Sequence, residues 1–505
     1  MPAYFISNLG DDSKDGLTEV TAWKTIAKVN GFHFLPDDVV KFGCGNSWIG
    51  TMLRLSYGGS AGNPVIIDCY GLGALPIISA VVGSTTRAIY FGMPFITMQN
   101  INAKNGANTS VEIGNTHDIV IRNCTVSGDA TLLANGISIW GGCYNITLDG
   151  CKVSGAKVMS GGGGGIYAAD CINLTVVNCS IDHCGTSTTF DHGIYIHTSS
   201  DSHIYGNITV FNAATGITSN GCINTIFEQN LSTDNSIGFQ MSGNYGPVVN
   251  EIWRRNCAVN NTFNFAVNPN ATTTTGLIQN NTLINAKSKG LFFFGVAAIN
   301  VSKNIIVQDA AIVGEQWSAS PVFFSTTLAA NAALFDGNLL LYKNALSTRI
   351  VGTQDNSSSY TWTQWLLHDP HGLNVDPQFV TNYSDLHLKT GSPAVGLGAY
   401  GGVMSTTVNM TGISSGNVPA TPVTVTAVAS IPALFASVVV NYTDPAPTGS
   451  VVLTAVPDAN GDSDVTVTVD NHQSKNNLLQ RIFKCHVRKV NPPTLDVIAD
   501  ITINS

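Results

Sequence analysis

The sequence predicts an all-β chain built as a right-handed parallel β-helix with an N-terminal capping segment and a small C-terminal β-sandwich, and three observations carry that prediction. The first is a short phrase that recurs seven times: Gly136-Ile137-Ser138-Ile139-Trp140, Gly165-Ile166-Tyr167-Ala168-Ala169, Gly193-Ile194-Tyr195-Ile196-His197, Gly216-Ile217-Thr218-Ser219-Asn220, Gly238-Phe239-Gln240-Met241-Ser242, Asn264-Phe265-Ala266-Val267-Asn268 and Gly290-Leu291-Phe292-Phe293-Phe294. Ile137, Ile166, Ile194, Ile217, Phe239, Phe265 and Leu291 follow one another at intervals of 22 to 29 residues, the period of a repeat architecture. Side chains alternate in and out as in a strand, so each phrase is one strand per coil, and the leading Gly is expected to supply a tight bend. The second observation is a fixed column, Cys124, Cys151 and Cys179, continued near the same place by Asn207, Asn230, Asn281 and Asn304. Stacked Asn side chains can bond to one another and to exposed backbone groups, as buried amides require. The third is the lack of the paired amphipathic helices that ankyrin or tetratricopeptide arrays need.

Composition agrees with a solenoid. A chain of 505 residues exceeds one ordinary core, but a coil grows along its axis. With 50 Gly, 11% charged residues and a net charge of −9, it lacks the basic stripe of a nucleic-acid binder. The 11 cysteines have no disulfide-framework spacing and read as buried small hydrophobes of a chain folded in a reducing compartment. Residues 418–443 carry no charged side chain, yet their prolines and Val/Thr alternation indicate strands and not membrane insertion. The start shows no cationic stretch followed by an apolar one, so either a signal is cut away or export does not use one.

Residues 1–86 do not keep the coil period and are expected to cap the open end of the coil, whose strand edges and core need cover. Tyr4-Phe5-Ile6-Ser7 reads as a strand, and Trp23, Ile26 and Ala27 fall on one helical face behind a Thr21 cap. Asp11, Ser13, Asp15 and Gly16 imitate the start of a calcium loop, but Ala22 stands where the closing Glu belongs. A solvated turn is therefore expected there, with no cofactor and no metal.

Tyr4-Phe5-Ile6-Ser7, the 12–16 loop, Ala22-Trp23-Lys24-Thr25-Ile26 and Gly62-Asn63-Pro64-Val65 resemble the N-terminal entry of the pectate-lyase-like right-handed β-helix proteins. At the far end, residues 365–371, Asp376-Pro377-Gln378-Phe379-Val380, Leu386-His387-Leu388-Lys389 and Gly391-Ser392-Pro393-Ala394 resemble that family's closing segment. The resemblance brackets residues 1 to about 400 and implies the fold. It implies no single activity, because the family includes lyases, hydrolases, epimerases, adhesins and bacteriophage tailspikes. The coil is expected over residues 87–400, with nine or ten turns between Ala88 and Leu341 and the closing segment after them. Residues 401–417 read as a linker and 418–505 as a small β-sandwich.

In such a coil, equivalent residues of neighbouring turns stand about 4.8 Å apart, so outward side chains form columns. One column reads Glu112, Ser138, Tyr167, Tyr195, Thr218, Gln240; the next reads Gly114, Trp140, Ala169, His197, Asn220, Ser242. Aromatic faces at Trp140, Tyr167 and Tyr195 would be costly to expose unless a ligand stacks there, and sugar rings fit, with Asn220 and Gln240 as polar contacts. The plainer alternative is that inserted loops, such as residues 157–164, cover them. Asp170, Asp182, His183, Asp191, His192, His197 and Asp201 gather within three turns. A β-elimination could use His197 or His192 with Tyr195 as base and acid. A glycoside hydrolysis needs two carboxylates roughly 5 to 9.5 Å apart, for which Asp170, Asp191 and Asp201 are candidates. Turn-satisfying roles are the bland alternative for each. His183, Cys184, His192 and His197 match no standard zinc spacing. Asp369-Pro370-His371 is similar to a motif of alginate epimerases but lies in the closing segment, away from the groove. Triplets such as Asn145-Ile146-Thr147 are explained by turns and ladders.

These features lead to a bacteriophage tailspike or similar receptor-binding protein, located on the virion tail, that binds and cleaves a bacterial surface polysaccharide. The resemblance implies a homotrimer, and the weakly charged flank suits side-by-side packing. The rivals are an exported, monomeric polysaccharide lyase or epimerase, and a non-enzymatic adhesin or structural spike.

Overall fold

The structure is a computed structural model of the protein. It describes residues 2–82, 87–106, 108–128, 135–156, 163–186, 191–269, 274–295, 297–309, 320–325, 333–343, 349–353, 359–381, 383–389, 391–400, 405–414, 422–456, 459, 461–472, 478–488, 494–497 and 501–502. The chain divides into two compact units, residues 1–400 and 401–505.

The first unit is a right-handed parallel β-helix. Three long sheets run along it, of 13, 12 and 12 strands among the described residues, and from Val65 onward each full coil contributes one strand to each. The glycine-led phrases form the third sheet, stacked as Ile137, Ile166, Ile194, Ile217, Phe239, Phe265 and Leu291 in one continuous register. These residues point inward and are fully buried, together with Ile119, Ile146, Leu174 and Ile204 from the first sheet.

The glycines that lead the phrases have a different reason from the one their sequence suggests. Their φ angles stay out of the left-handed region, so no bend demands them. Space does: a Cβ on Gly165 would lie 2.4 Å from Ile181 Cγ2, and one on Gly216 would lie 2.1 Å from Ser232 Oγ. At these glycines the third sheet meets the second too closely for a side chain; in the sixth phrase Asn264 takes the place, its amide bonded to Asn261 and to the Ile284 carbonyl.

The inward bend between the first and second sheets carries the amide column. Asn207, Asn230, Asn256, Asn281, Asn304 and Asn338 are fully buried, and each Nδ2 donates to the next Oδ1 at 2.9–3.0 Å. The column is closed by Asp369, which accepts from Asn338 Nδ2 at 2.9 Å and from the Gly337 amide at 2.6 Å. At the other end Asn207 Oδ1 accepts the Cys179 amide at 2.9 Å, so the cysteine column continues the same line. A parallel ladder, Asn212, Asn235, Asn261 and Asn264, follows the next bend. All 11 cysteines are free thiols.

Residues 1–86 belong to the coil more fully than their spacing suggests. Ala3–Ile6, Val39–Gly43 and Val65–Tyr70 are the first three strands of the first sheet, and Ser47–Ile49 and Ile77–Ser79 begin the second. Their capping function falls to an aromatic cluster: Trp23, 1% exposed, packs against Tyr4, Phe32 and Phe34. The helix is Ile26–Asn30, capped by Thr25 and not Thr21, and it buries Ile26 and Val29 while Ala27 is exposed. In the would-be calcium loop, Asp11 and Asp15 accept the amides of Ser13 and Leu17 at 2.9 and 3.0 Å, and Asp12 accepts those of Lys24 and Thr25. These carboxylates are occupied as turn acceptors. At the other end the short helix Trp362–Trp365 buries Trp365 against Phe335 and Phe324.

The second unit holds two four-stranded sheets over one apolar core that includes Val408, Met410, Val451, Leu453, Val465 and Val467. Ser405–Thr411, which falls inside the expected linker, is a strand paired along Thr448–Ala455, because Val408 and Met410 supply inward apolar side chains. Thr424–Ala429 and Phe435–Asn441, from the uncharged stretch, are strands as well. No helix among the described residues is long and apolar enough to cross a membrane.

Candidate functional site

On the outer face of the third sheet the two predicted columns stand in register: Ser138, Tyr167, Tyr195, Thr218 and Gln240 in one, and Ala169, His197, Asn220 and Ser242 in the other. Tyr167 and Tyr195 are neighbours with ring centroids 5.9 Å apart. The open aromatic shelf expected there is not what the structure contains. Trp140 is 40% exposed, but Tyr195 is only 4% exposed, enclosed by the rings of Tyr167, His192 and His197 and by Asn220. Of the loop 157–164 expected as a cover, residues 157–162 lie outside the described residues.

The centre of this face is a directed chain of hydrogen bonds. Thr198 Oγ1 donates to Asp170 Oδ1 at 2.6 Å. Its oxygen lies 3.0 Å from His197 Nδ1, and having given its own proton to Asp170 it accepts the Nδ1 proton. Nε2 therefore carries the lone pair, and Tyr167 Oη, 2.7 Å away, donates to it. Carboxylate and hydroxyl thus fix the imidazole tautomer from behind and leave its basic nitrogen on the phenol. Burial lowers the pKa of His197 while Asp170 opposes that shift, and burial raises that of Tyr167.

The other predicted residues divide between this cluster and the framework. Asn220 joins it, donating to Tyr195 Oη at 3.1 Å and accepting the Tyr245 amide at 3.0 Å. His192 is packed behind Tyr195, 3.3 Å from Thr218 Oγ1 through Nδ1, and burial drops its pKa to about 4, so it stays neutral. Asp191 is 3% exposed and accepts the Thr186 amide beside Gly185, holding that turn. Asp201 is exposed on a different ladder, accepting from Asn224 at 3.1 Å. Gln240 accepts from Thr215 at 3.4 Å and stands one strand beyond Thr218. The Trp140 ring lies over Gly114, off the tyrosine cluster. Asp182 pairs with His183 at 3.4 Å, and that ring packs on Phe211, while Cys184 is buried with its amide on Asn212. Among the described residues no three His, Cys, Asp or Glu gather as metal ligands would.

Two members of the site were not singled out in the sequence. Thr198, at φ 47°, is the link between His197 and Asp170. Tyr245, 60% exposed, lies with its ring 5.4 Å from His197. It sits on a turn that approaches the sheet because Gly221, at φ 70°, leaves room for Gly246: a Cβ there would lie 2.9 Å from the Gly246 nitrogen. The signal for Tyr245 was its place directly after the fifth phrase.

Residues 87–251 match the family model for the right-handed β-helix region. No curated protein matches the chain. Among solved structures, the GH136 lacto-N-biosidase from Eubacterium ramulus is similar with 16% identity and a TM-score of 0.43 over 59% of this chain, which spans 65% of that protein's length. The pectate lyase Pel9A is similar with 12% identity and a TM-score of 0.44, over 78% of this chain and 91% of the other. The Dettilon tailspike protein gp208 is similar with 12% identity and a TM-score of 0.41, over 93% of this chain and 79% of the other. At such identities no residue role carries over.

Proposed function

We propose that the outer face of the third sheet binds a bacterial surface polysaccharide and cleaves it, as part of a trimeric, tailspike-like receptor-binding protein of a virion tail. The observation that carries this reading is the Asp170–Thr198–His197–Tyr167 chain, which holds a neutral imidazole against a phenol beside the exposed ring of Tyr245. A base and an acid in contact among tilted and edge-on aromatic rings suit proton transfer to and from a sugar. His197, acting through or beside Tyr167, would take the proton α to a uronate carboxylate, and the phenol would return a proton to the leaving oxygen. Tyr195, Asn220 and Tyr245 position the pair, with Trp140 and Gln240 as outlying contacts.

Elimination is favoured over hydrolysis by the fate of the carboxylates. Asp191 holds a turn, Asp201 accepts from Asn224 on another ladder and Asp170 accepts from Thr198, so each candidate carboxylate serves a neighbouring donor, while the His197–Tyr167 pair is an acid and a base in contact. Incubation with a panel of capsular and lipopolysaccharide polymers, with product analysis, tests the reading. An unsaturated, absorbing product from a uronate-containing polymer is expected. Saturated reducing ends alone would replace elimination by hydrolysis, and the absence of any shortened chain across the panel would leave an adhesin.

A further inference from the structure

The first sheet carries a second groove on its own outer face, of about 300 Å³, the size of a small-ligand site. Its floor is a column of half-buried side chains in register on successive coils, Thr97, Val120, Thr147 and Thr175. No described residue hydrogen-bonds to these three hydroxyls; with neighbouring coils about 4.8 Å apart, those of Thr147 and Thr175 stand one step apart and that of Thr97 two steps before Thr147, with Val120 between. One wall is a ladder of left-handed residues, Asp118, Asn145 and Asn173, at φ 53–54°. Asn145 donates to Asp118 at 3.2 Å and Asn173 to Asn145 at 2.8 Å. Each of these exposed amides has a second N–H free for a ligand. Where the groove meets Phe95, a row of rings begins: Phe95 lies edge-on to His117 at 5.2 Å, and His117 stacks on Tyr144 at 4.5 Å. Tyr144 is 41% exposed, and Ile172 beyond it 53%.

We infer that this groove is a separate binding site for a neutral glycan strand lying along the coil axis. Hydroxyls at one and two coil steps, with spare amide donors beside them, match the donors and acceptors of sugar hydroxyls, while Val120 and the Phe95–Tyr144 row offer an apolar surface to their C–H faces. Among the described residues Asp118 is the only ionisable side chain in the lining, with His117 Nδ1 2.6 Å from its carboxylate, so phosphates, sulfates and uronates meet no Lys or Arg there and one like charge. The site thus holds a neutral stretch of polymer independently of any chemistry at His197.

Affinity electrophoresis of the full chain through gels containing dextran, galactan, glucomannan or alginate tests it. At least one neutral polymer should retard the chain, and Thr147→Val with Thr175→Val should weaken that retardation about tenfold in apparent Kd, the loss of a hydrogen bond or two. Val retains strand shape, so an unchanged thermal melt separates lost contact from lost fold. Asn173→Gly, which accepts the left-handed backbone without strain, should weaken binding too. His197→Ala should bind the neutral polymer like the wild type. The inference fails if no neutral polymer retards the chain, or if both groove variants bind as the wild type does.

Discussion

His197 is acted on from two sides: enclosure disfavours its charged form, and Asp170, reached through Thr198, favours it. Enclosure prevails, so the ring titrates below its ordinary value and is a neutral base at pH 7. The ascending limb of kcat/KM should therefore lie below pH 6.5. Asp170→Asn should move it lower still, because the opposing charge is gone, and His197→Ala should cost about 10²–10⁴ in kcat/KM; a pH profile of depolymerisation measures all three. A second titration sits in the core. Glu251 is fully buried, accepting from Ser219 at 2.9 Å and Trp253 at 3.2 Å, and burial lifts its pKa to about 8. Between the unfolded carboxyl's 4.5 and about 8 the folded chain holds a proton that the unfolded chain releases. Stability should fall as pH rises through that window and level off above it. Calorimetric melts of Glu251→Gln should lack the slope and lie above the wild type at pH 9. The columns that bring Tyr167, Tyr195 and His197 together were legible in the sequence because strand register follows from the repeat alone. That His197 bonds to Tyr167 and not Tyr195 was not legible, because it depends on rotamers and on the turn bearing Tyr245.

Elements in this chain are held by repetition, and each repeat has a cost when broken. Asp369 ends the asparagine ladder by accepting from Gly337 and Asn338. Asp369→Ala should destabilise the first unit by about 1–3 kcal/mol for each buried donor left unpaired, and Asp369→Asn by less, since one oxygen remains. Denaturant melts distinguish the two. Gly216→Ala should cost about 1–3 kcal/mol through overpacking against Ser232, although its φ would tolerate alanine. The coil was legible from residue 87 on because its phrases have near-constant length. The N-terminal coils were not, since the first-sheet strands there begin at residues 3, 39, 65 and 96, with unequal excursions between them. Inside residues 401–417 the alternation Val408-Asn409-Met410 was the overlooked sign of a strand.

At the scale of the molecule, stability comes from a long apolar lumen and neutral ladders, with four Lys or Arg ion pairs among the described residues. Free thiols throughout mean that reducing agents should leave the melt unchanged. The tailspike-like reading carries a trimer with it: gel filtration with light scattering should return three times the 53.2 kDa chain mass, and a monomer at micromolar concentration would remove that part of the proposal. The central claim is narrower, that the Tyr167–His197 face is where a polysaccharide is cut. Its most direct measurement is the chain length of a cleavable capsular polymer after incubation with the wild type and with Tyr167→Phe/His197→Ala. Shortening by the wild type alone is expected, with the variant still folded and still binding; equal shortening by both would contradict cleavage at this face.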